Sequence, residues 1–398
     1  MKNIESQIQP LYVGDELMNK LSIFPTIKDR FNGVPDRLVS LLDIYKIFIP
    51  NSSTVDIYIR LYLSLLNSLR KKKTIEEVKL YNEIFNGTHG SIGGLDSFRI
   101  TGNSGIGKTS SIQRCIETIV KNKTIKDSES EREIIPFIVV ECPADGSFKS
   151  LLLSILEKVD EGLETNYFRV NSTKGMTTDY LLNLVSVVLI NSVGVLVIDE
   201  VERVANDSVR GTTLINYLTQ LVNQTNVSIC FIGNESCNVF FSSKEYMSRR
   251  TTGINLNKIS YGKEFNSFLE ELFRYQFTID KTILDNEMID IFYKYSNGVP
   301  ANIISIFVEA QKYVILNNLK RIDVNVVDHI FELFFSNMNP YVGAKKKRSR
   351  NDIVSSSTLI NKTNVNGLLN ETMKISGKNV DLFLKMLAKN IAIDFIKC

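Results

Sequence analysis

The sequence has only two histidines, His89 and His329, in 398 residues. That scarcity leaves little material for a histidine-based metal site or a catalytic triad. Its five cysteines, Cys115, Cys142, Cys230, Cys237 and Cys398, are odd in number, and none stands in C-x-x-C spacing. This argues against a disulfide framework or a zinc ribbon and for a reducing, cytoplasmic compartment. No apolar run reaches the length of a membrane span, and Met1–Glu5 lacks the apolar stretch of a signal peptide. No internal repeat is visible. Whole-chain disorder is excluded by a composition that is 43% hydrophobic and 23% charged.

Net charge is also nearly absent, at +3, but its distribution is uneven. Residues 341–398 hold eleven Lys/Arg against four Asp/Glu, whereas the first 340 residues are net negative. A basic tail suits an anionic partner. The length fits two to three folding units. The expected organisation is an N-terminal arm with helices (1–95), an α/β core (96–260), a helical lid (261–340), and a basic linker with a terminal helix (341–398).

Residues 1–35 read as an extended or partly ordered arm. Helical spacing runs from Asp36 to Arg70, broken at Ile49-Pro50-Asn51-Ser52, with Ser52, Ser53 or Thr54 as the next cap. The second helix is expected to end at Arg70-Lys71-Lys72-Lys73. Short apolar strands follow at 97–101, 134–142, 193–198 and 227–232, with a weaker one at 254–259. Continuous β-branched runs alternating with helices predict an α/β fold with a five-stranded parallel sheet covered on both faces. From Tyr261 to Phe335 the pattern is helical.

The chemistry concentrates in Gly102-Asn103-Ser104-Gly105-Ile106-Gly107-Lys108-Thr109, which matches G-x4-G-K-[ST] between a strand and a helix beginning at Ser110. Glycines let the backbone wrap, so that successive N–H groups and the helix N-terminus face a phosphate. Lys108 is assigned to the β- and γ-phosphates of ATP, and the Thr109 hydroxyl to Mg²⁺. Val195-Leu196-Val197-Ile198-Asp199-Glu200 is a buried strand ending in two carboxylates. Asp199 is expected near Mg²⁺, and Glu200 is expected to polarise the attacking water. Asn234, ending the next strand, either orients that water or belongs to an ordinary Gly-Asn turn. Arg249 and Arg250 either complete a neighbouring subunit's site as an arginine finger or are solvated arginines at a helix C-terminus.

A phosphate loop, an Asp-Glu strand end, a sensor Asn and a helical lid together resemble the AAA+ class. Ser296-Asn297-Gly298-Val299-Pro300-Ala301-Asn302 resembles the G-x-P segment where the lid of the initiator clade meets nucleotide, which implies roles for Gly298 and Pro300. Ala301 and Asn302 stand where many members carry a lid arginine. A finer resemblance is to the TnsC/TniB family of transposition regulators. It is carried by Glu141–Lys149, Asp160–Tyr167, Asp199–Glu202, Arg249–Gly253 and Tyr275–Thr278 with Ser296–Val299, within residues 95–335.

That resemblance implies an ATPase used as a switch. Such a protein assembles as a homo-oligomeric ring or filament on double-stranded DNA without reading its sequence, and so is nucleoid-associated. It links a target-selector protein or complex to transposase subunits, and ATP hydrolysis drives its disassembly. The family's DNA-facing loops put Lys149, Arg169, Lys174 and Thr177 forward as phosphate contacts. The basic run at 345–350 is either a further DNA contact or a solvated linker. The helix at 380–396 either packs on the body or docks a transposase subunit. Two other readings stand beside this one: a replication initiator or helicase loader, and a nucleotide-gated signalling switch that binds no DNA.

Overall fold

The structure, a computed structural model, describes residues 4–27, 33–85, 97–126, 132–144, 146–172, 175–205, 216–218, 220–221, 225, 227–242 and 251–335. The chain divides into two units, Met1–Gly343, which holds all the described residues, and Ala344–Cys398. The second, with the basic run and the expected helix at 380–396, lies outside the described residues.

The sheet is built from β1 (Ser97–Thr101), β2 (Ile125–Lys126), β3 (Glu133–Glu141), β4 (Val193–Asp199), β5 (Ser228–Gly233) and β6 (Thr251–Asn255). Their spatial order is β2-β3-β4-β5-β1-β6. Five strands pair in parallel, and the two-residue β2 adds an antiparallel edge that the sequence pattern did not reveal. The last parallel strand ends at Asn255, earlier than the expected 254–259. Leu256 N–H still donates to Thr101 O (2.8 Å), after which the chain leaves the sheet for the lid.

Every residue of β4 and β5 is buried, as the continuous apolar runs require when both faces are covered. Alternation then sorts their side chains between two layers. Leu196, Ile198, Ile229 and Phe231 pack under helices α5 (Phe148–Leu163) and α7 (Thr178–Ser192). Val195, Val197, Cys230 and Ile232 pack under α1 (Gly14–Leu21), α3 (Ser52–Phe85) and α4 (Lys108–Ile119). Further helices among the described residues are α2 (Val34–Ser40), α6 (Tyr167–Asn171), α8 (Glu202–Ala205), α9 (Cys237–Ser242), and the lid helices α10 (Lys263–Phe273), α11 (Asn286–Ser296), α12 (Pro300–Leu316) and α13 (Val324–Ile330).

The N-terminal stretch has no core of its own. Ile8 bridges to Val120, and Leu17 and Leu21 enter the α3–α4 layer. Leu41, Ile44 and Ile47, in and after a 3-10 turn at Leu41–Lys46, pack instead into the lid. The described part of the expected arm (1–35) thus joins the core, and the stretch just after it joins the lid. The break at Ile49–Ser52 is where the chain passes from one to the other.

Asn51, rather than the three hydroxyl residues after it, caps α3. Its Oδ1 accepts from Thr54 N–H (2.9 Å), while Thr54 Oγ1 accepts from Asn51 N–H (3.3 Å). The helix does not stop at the basic run. Arg70 Nε pairs with Glu5 (2.8 Å), and Lys72 is buried, its ammonium donating to the Leu189 (3.1 Å) and Ile190 carbonyls at the C-terminal end of α7. These partners anchor α3 and let it continue to Phe85.

Among the described residues no single helix is long and apolar enough to cross a membrane. The pair α11 and α12 passes that test jointly by length and composition, but the two helices meet at 120° and pack in the lid core.

Candidate nucleotide-binding site

The loop from Gly102 to Gly107 connects β1 to α4. Gly105 (φ +78°) and Gly107 (φ +88°) both adopt the left-handed backbone that side chains disfavour. Gly102 is constrained differently: a Cβ there would lie 2.6 Å from Leu256 O. Lys108 Nζ lies back over the loop, donating to Gly102 O (2.8 Å) and Asn103 O (3.0 Å). Its charge is therefore held over the concavity, within reach of an arriving phosphate. Ser104 is exposed in the loop, Ile106 is buried beneath it, and Ser110 stands on the first turn of α4.

From the other side, β4 delivers Asp199. Its Oδ2 accepts from the Thr109 hydroxyl (2.8 Å), and its Oδ1 from Glu200 N–H (2.7 Å). Asp199 is buried. A hydroxyl beside a carboxylate, next to a phosphate-shaped loop, is a hard oxygen donor set of the kind Mg²⁺ takes, so these residues fit the ion. Glu200 follows at φ +57°, a left-handed conformation unusual for a residue with a side chain. Its carboxylate pairs with Arg203 Nε (2.6 Å). Asn234, at the end of β5, accepts from Ser236 N–H (2.9 Å) and the Ser236 hydroxyl. It thus builds a local turn on the strand end between the two halves of the site. Arg249 and Arg250 lie outside the described residues.

A cavity of about 900 Å³ opens beside the loop, large enough for a nucleoside. Gly105, Ile106, Gly107 and Ser110 form one wall, Tyr45–Asn51 a second, and Pro300, Ala301, Ile304 and Ser305 of the lid a third. Ala301 N–H donates to Gly105 O (3.1 Å), joining the start of α12 directly to the phosphate loop. Gly298 makes the hinge behind it. Ile259 N–H donates to Gly298 O (2.8 Å), Gly298 has φ +73°, and a Cβ there would lie 2.1 Å from Ile259 O.

Sequence reasoning placed Pro300 in this region but missed the second wall. Ile49-Pro50-Asn51 was visible as a helix break, and nothing local showed which cavity it lines. Arg203 was missed as well; its only signal was a cation three residues after the Asp-Glu pair.

Of the four residues put forward for DNA, three lie on α5, on α6 and at the start of α7, which pack together, and the fourth lies outside the described residues. Lys149, on the first turn of α5, donates to Met176 O (2.7 Å), and Thr177 caps α7 by accepting from Tyr180 N–H (3.2 Å). These two are brought together by the 175–177 loop. Arg169 is exposed on α6, whose start is fixed by Asp160 accepting from Tyr167 and Phe168 N–H (2.8 Å each). Lys174 lies outside the described residues.

Cys115, Cys142, Cys230 and Cys237 are free and buried. Burial pushes the Cys142 and Cys237 thiols up to about 12, so neither is poised as a nucleophile.

The five parallel strands, the loop after β1 and the acid pair after β4 define a P-loop fold of the AAA+ type, and residues 96–239 match the AAA domain family. The chain is similar in structure to the ORC1 protein of Aeropyrum pernix, solved in complex with DNA. That likeness has a TM-score of 0.48 and 14% identity, covering 74% of this chain and 68% of that one. It is similar also to Cdc6p of Pyrobaculum aerophilum (TM-score 0.40, 13% identity, 59% and 60% covered). A third is domain III of the replication initiation protein DnaA of Thermotoga maritima (TM-score 0.36, 14% identity, 61% and 85% covered). No curated protein sequence matches the chain.

Proposed function

We propose that this chain is an ATP-hydrolysing AAA+ switch that assembles on double-stranded DNA and regulates transposition. The observation that carries the ATPase reading is the meeting of Thr109 and Asp199 at 2.8 Å beneath a glycine loop that already holds Lys108. Triphosphate would lie along 102–109 with Lys108 on its β- and γ-phosphates, and the base would enter the cavity between Tyr45–Asn51 and Pro300–Ser305. Thr109 and Asp199 would hold Mg²⁺, which neutralises charge on the phosphates. Glu200 would take the proton of the attacking water, and Asn234 would help orient that water.

The lid touches the loop through Ala301 and Gly105, so a change at the loop on loss of the γ-phosphate would reach the lid. Arg249 or Arg250 would add a cation from a neighbouring subunit and make assembly depend on ATP. Lys149, Arg169, Lys174 and Thr177 would contact DNA phosphates, giving binding indifferent to sequence. The transposition role, with transposase subunits and a target selector as partners, rests on the resemblance of the Glu141–Lys149, Asp160–Tyr167 and Tyr275–Thr278 stretches to the TnsC/TniB family.

The test is binding to a random-sequence duplex of about 60 base pairs at fixed salt, with ATP, ADP or no nucleotide. Tight, cooperative binding with ATP alone is expected. Absence of DNA binding in every nucleotide state would leave the signalling-switch reading in its place.

A further inference from the structure

Arg203 sits between two carboxylates. Its Nε lies 2.6 Å from Glu200 Oε2, and its Nη1 lies 3.6 Å from Glu141 Oε2 while donating to Cys142 O (2.9 Å). Glu141 ends β3 and Cys142 follows it. The sheet order places β3 on one side of β4, and β5 and then β1 on the other. The phosphate loop follows β1 and Asn234 follows β5, so nucleotide phosphates would lie on the β5–β1 side of Asp199. Arg203 therefore holds Glu200 toward the side of β4 away from its work.

We infer that Arg203 is a positioning residue that exchanges between Glu200 and Glu141. Paired with Glu200, it parks the general base. Swung onto Glu141, it frees Glu200 to turn toward the attacking water. Cys142 O and Glu141 serve as the pivot and the alternative seat.

Exposure makes such an exchange inexpensive. Side-chain exposures are 34% for Arg203, 44% for Glu200 and 70% for Glu141, so neither pair is locked by burial. Only side chains need to move: Arg203 N–H donates to Glu200 O (3.1 Å), and this backbone turn can stay closed throughout. Glu141 lies outside the phosphate site, so it has no reason to affect turnover except through Arg203.

This inference rests on the ATPase reading, and its test separates the two. Steady-state ATP turnover is measured for wild type, Arg203→Ala, Glu141→Ala and the double variant, with Glu200→Gln as the control for chemistry. Arg203→Ala should raise kcat about two- to fivefold, the scale of an exposed ion pair, with KM for ATP little changed. Glu141→Ala should lower kcat by a similar factor, because Arg203 then has only Glu200. The double variant should behave as Arg203→Ala, since Glu141 acts only through the guanidinium. Arg203→Lys, which keeps the charge with less reach, should fall between wild type and Arg203→Ala, and it stands in should the alanine variant fold poorly. An unchanged or reduced kcat in folded Arg203→Ala overturns the exchange. So does a Glu141→Ala effect of equal size in both backgrounds. Wild type without any turnover overturns the ATPase reading and the exchange with it. Normal wild-type turnover that Glu200→Gln abolishes, with Arg203→Ala unchanged, overturns the exchange alone.

Discussion

The two ends of the proposed nucleotide cleft are made of different material. The phosphate end is a short contiguous piece of backbone, residues 102–109, completed by Asp199 and Glu200 from one strand end. The base end has no motif: its walls come from Tyr45–Asn51, from the first turns of α4, and from Pro300–Ser305 of the lid. One end is chemistry written in consecutive residues. The other exists only once three distant stretches have packed. Damage at the first should show in turnover, and damage at the second in affinity for the nucleoside or in stability.

The largest expected effect is at the phosphate end. Glu200→Gln should retain ATP binding while hydrolysis falls on the order of 10²-fold in a phosphate-release assay. Undiminished turnover would remove Glu200 from water activation and blur the distinction between the ends. Next is the hinge that joins them. Gly298→Ala places a Cβ 2.1 Å from Ile259 O at a left-handed position, and should destabilise the chain by about 1–3 kcal/mol in denaturant unfolding. Wild-type stability in that variant would mean that the lid contact at Gly298 is not constrained.

A smaller effect should sharpen the comparison directly. Ile304→Trp, at the lid wall of the cavity, should weaken ATP about tenfold, or ~1.4 kcal/mol, while leaving inorganic tripolyphosphate unaffected. Equal loss for both ligands would show that the base does not enter there.

A last effect lies away from both ends and reads in stability alone. Burial, with Arg132 nearby, brings the Lys72 ammonium down to about 7 from an ordinary 10.5. Between those values the unfolded chain holds the proton more firmly than the folded one. This residue therefore makes stability rise with pH from about 7 to about 10.5, and it disfavours folding below 7. Lys72→Met should flatten that slope, read by unfolding at pH 6.5 and 9, with ATP affinity unchanged.

The same division explains what could be read from the sequence. β4 was visible because a strand buried on both faces must be apolar throughout, and the loop was visible because a phosphate cradle needs glycines at fixed spacing. The end of α3 was misread because a basic run normally marks solvent or a helix end. Here Lys72 is buried on the carbonyls of α7, a partner over a hundred residues away. Tyr275–Thr278 drew notice in the sequence only by resemblance, and its physical task was not legible there. Gln276 accepts from Thr282 N–H (2.6 Å) and donates to Phe273 O (2.8 Å), while Gln311 accepts from Phe277 N–H (2.7 Å). These buried amides stitch a lid turn, which is a structural task. The walls of the base cavity were illegible for the same reason that Lys72 was: long-range packing leaves no local signature.

ATP titration of wild type and Lys108→Ala in the presence of Mg²⁺ tests the phosphate end most directly. Saturable one-site binding by wild type and its loss in a folded Lys108→Ala variant are the predicted result. Tight ATP binding retained without the Lys108 ammonium would contradict the phosphate-end assignment and the switch built upon it.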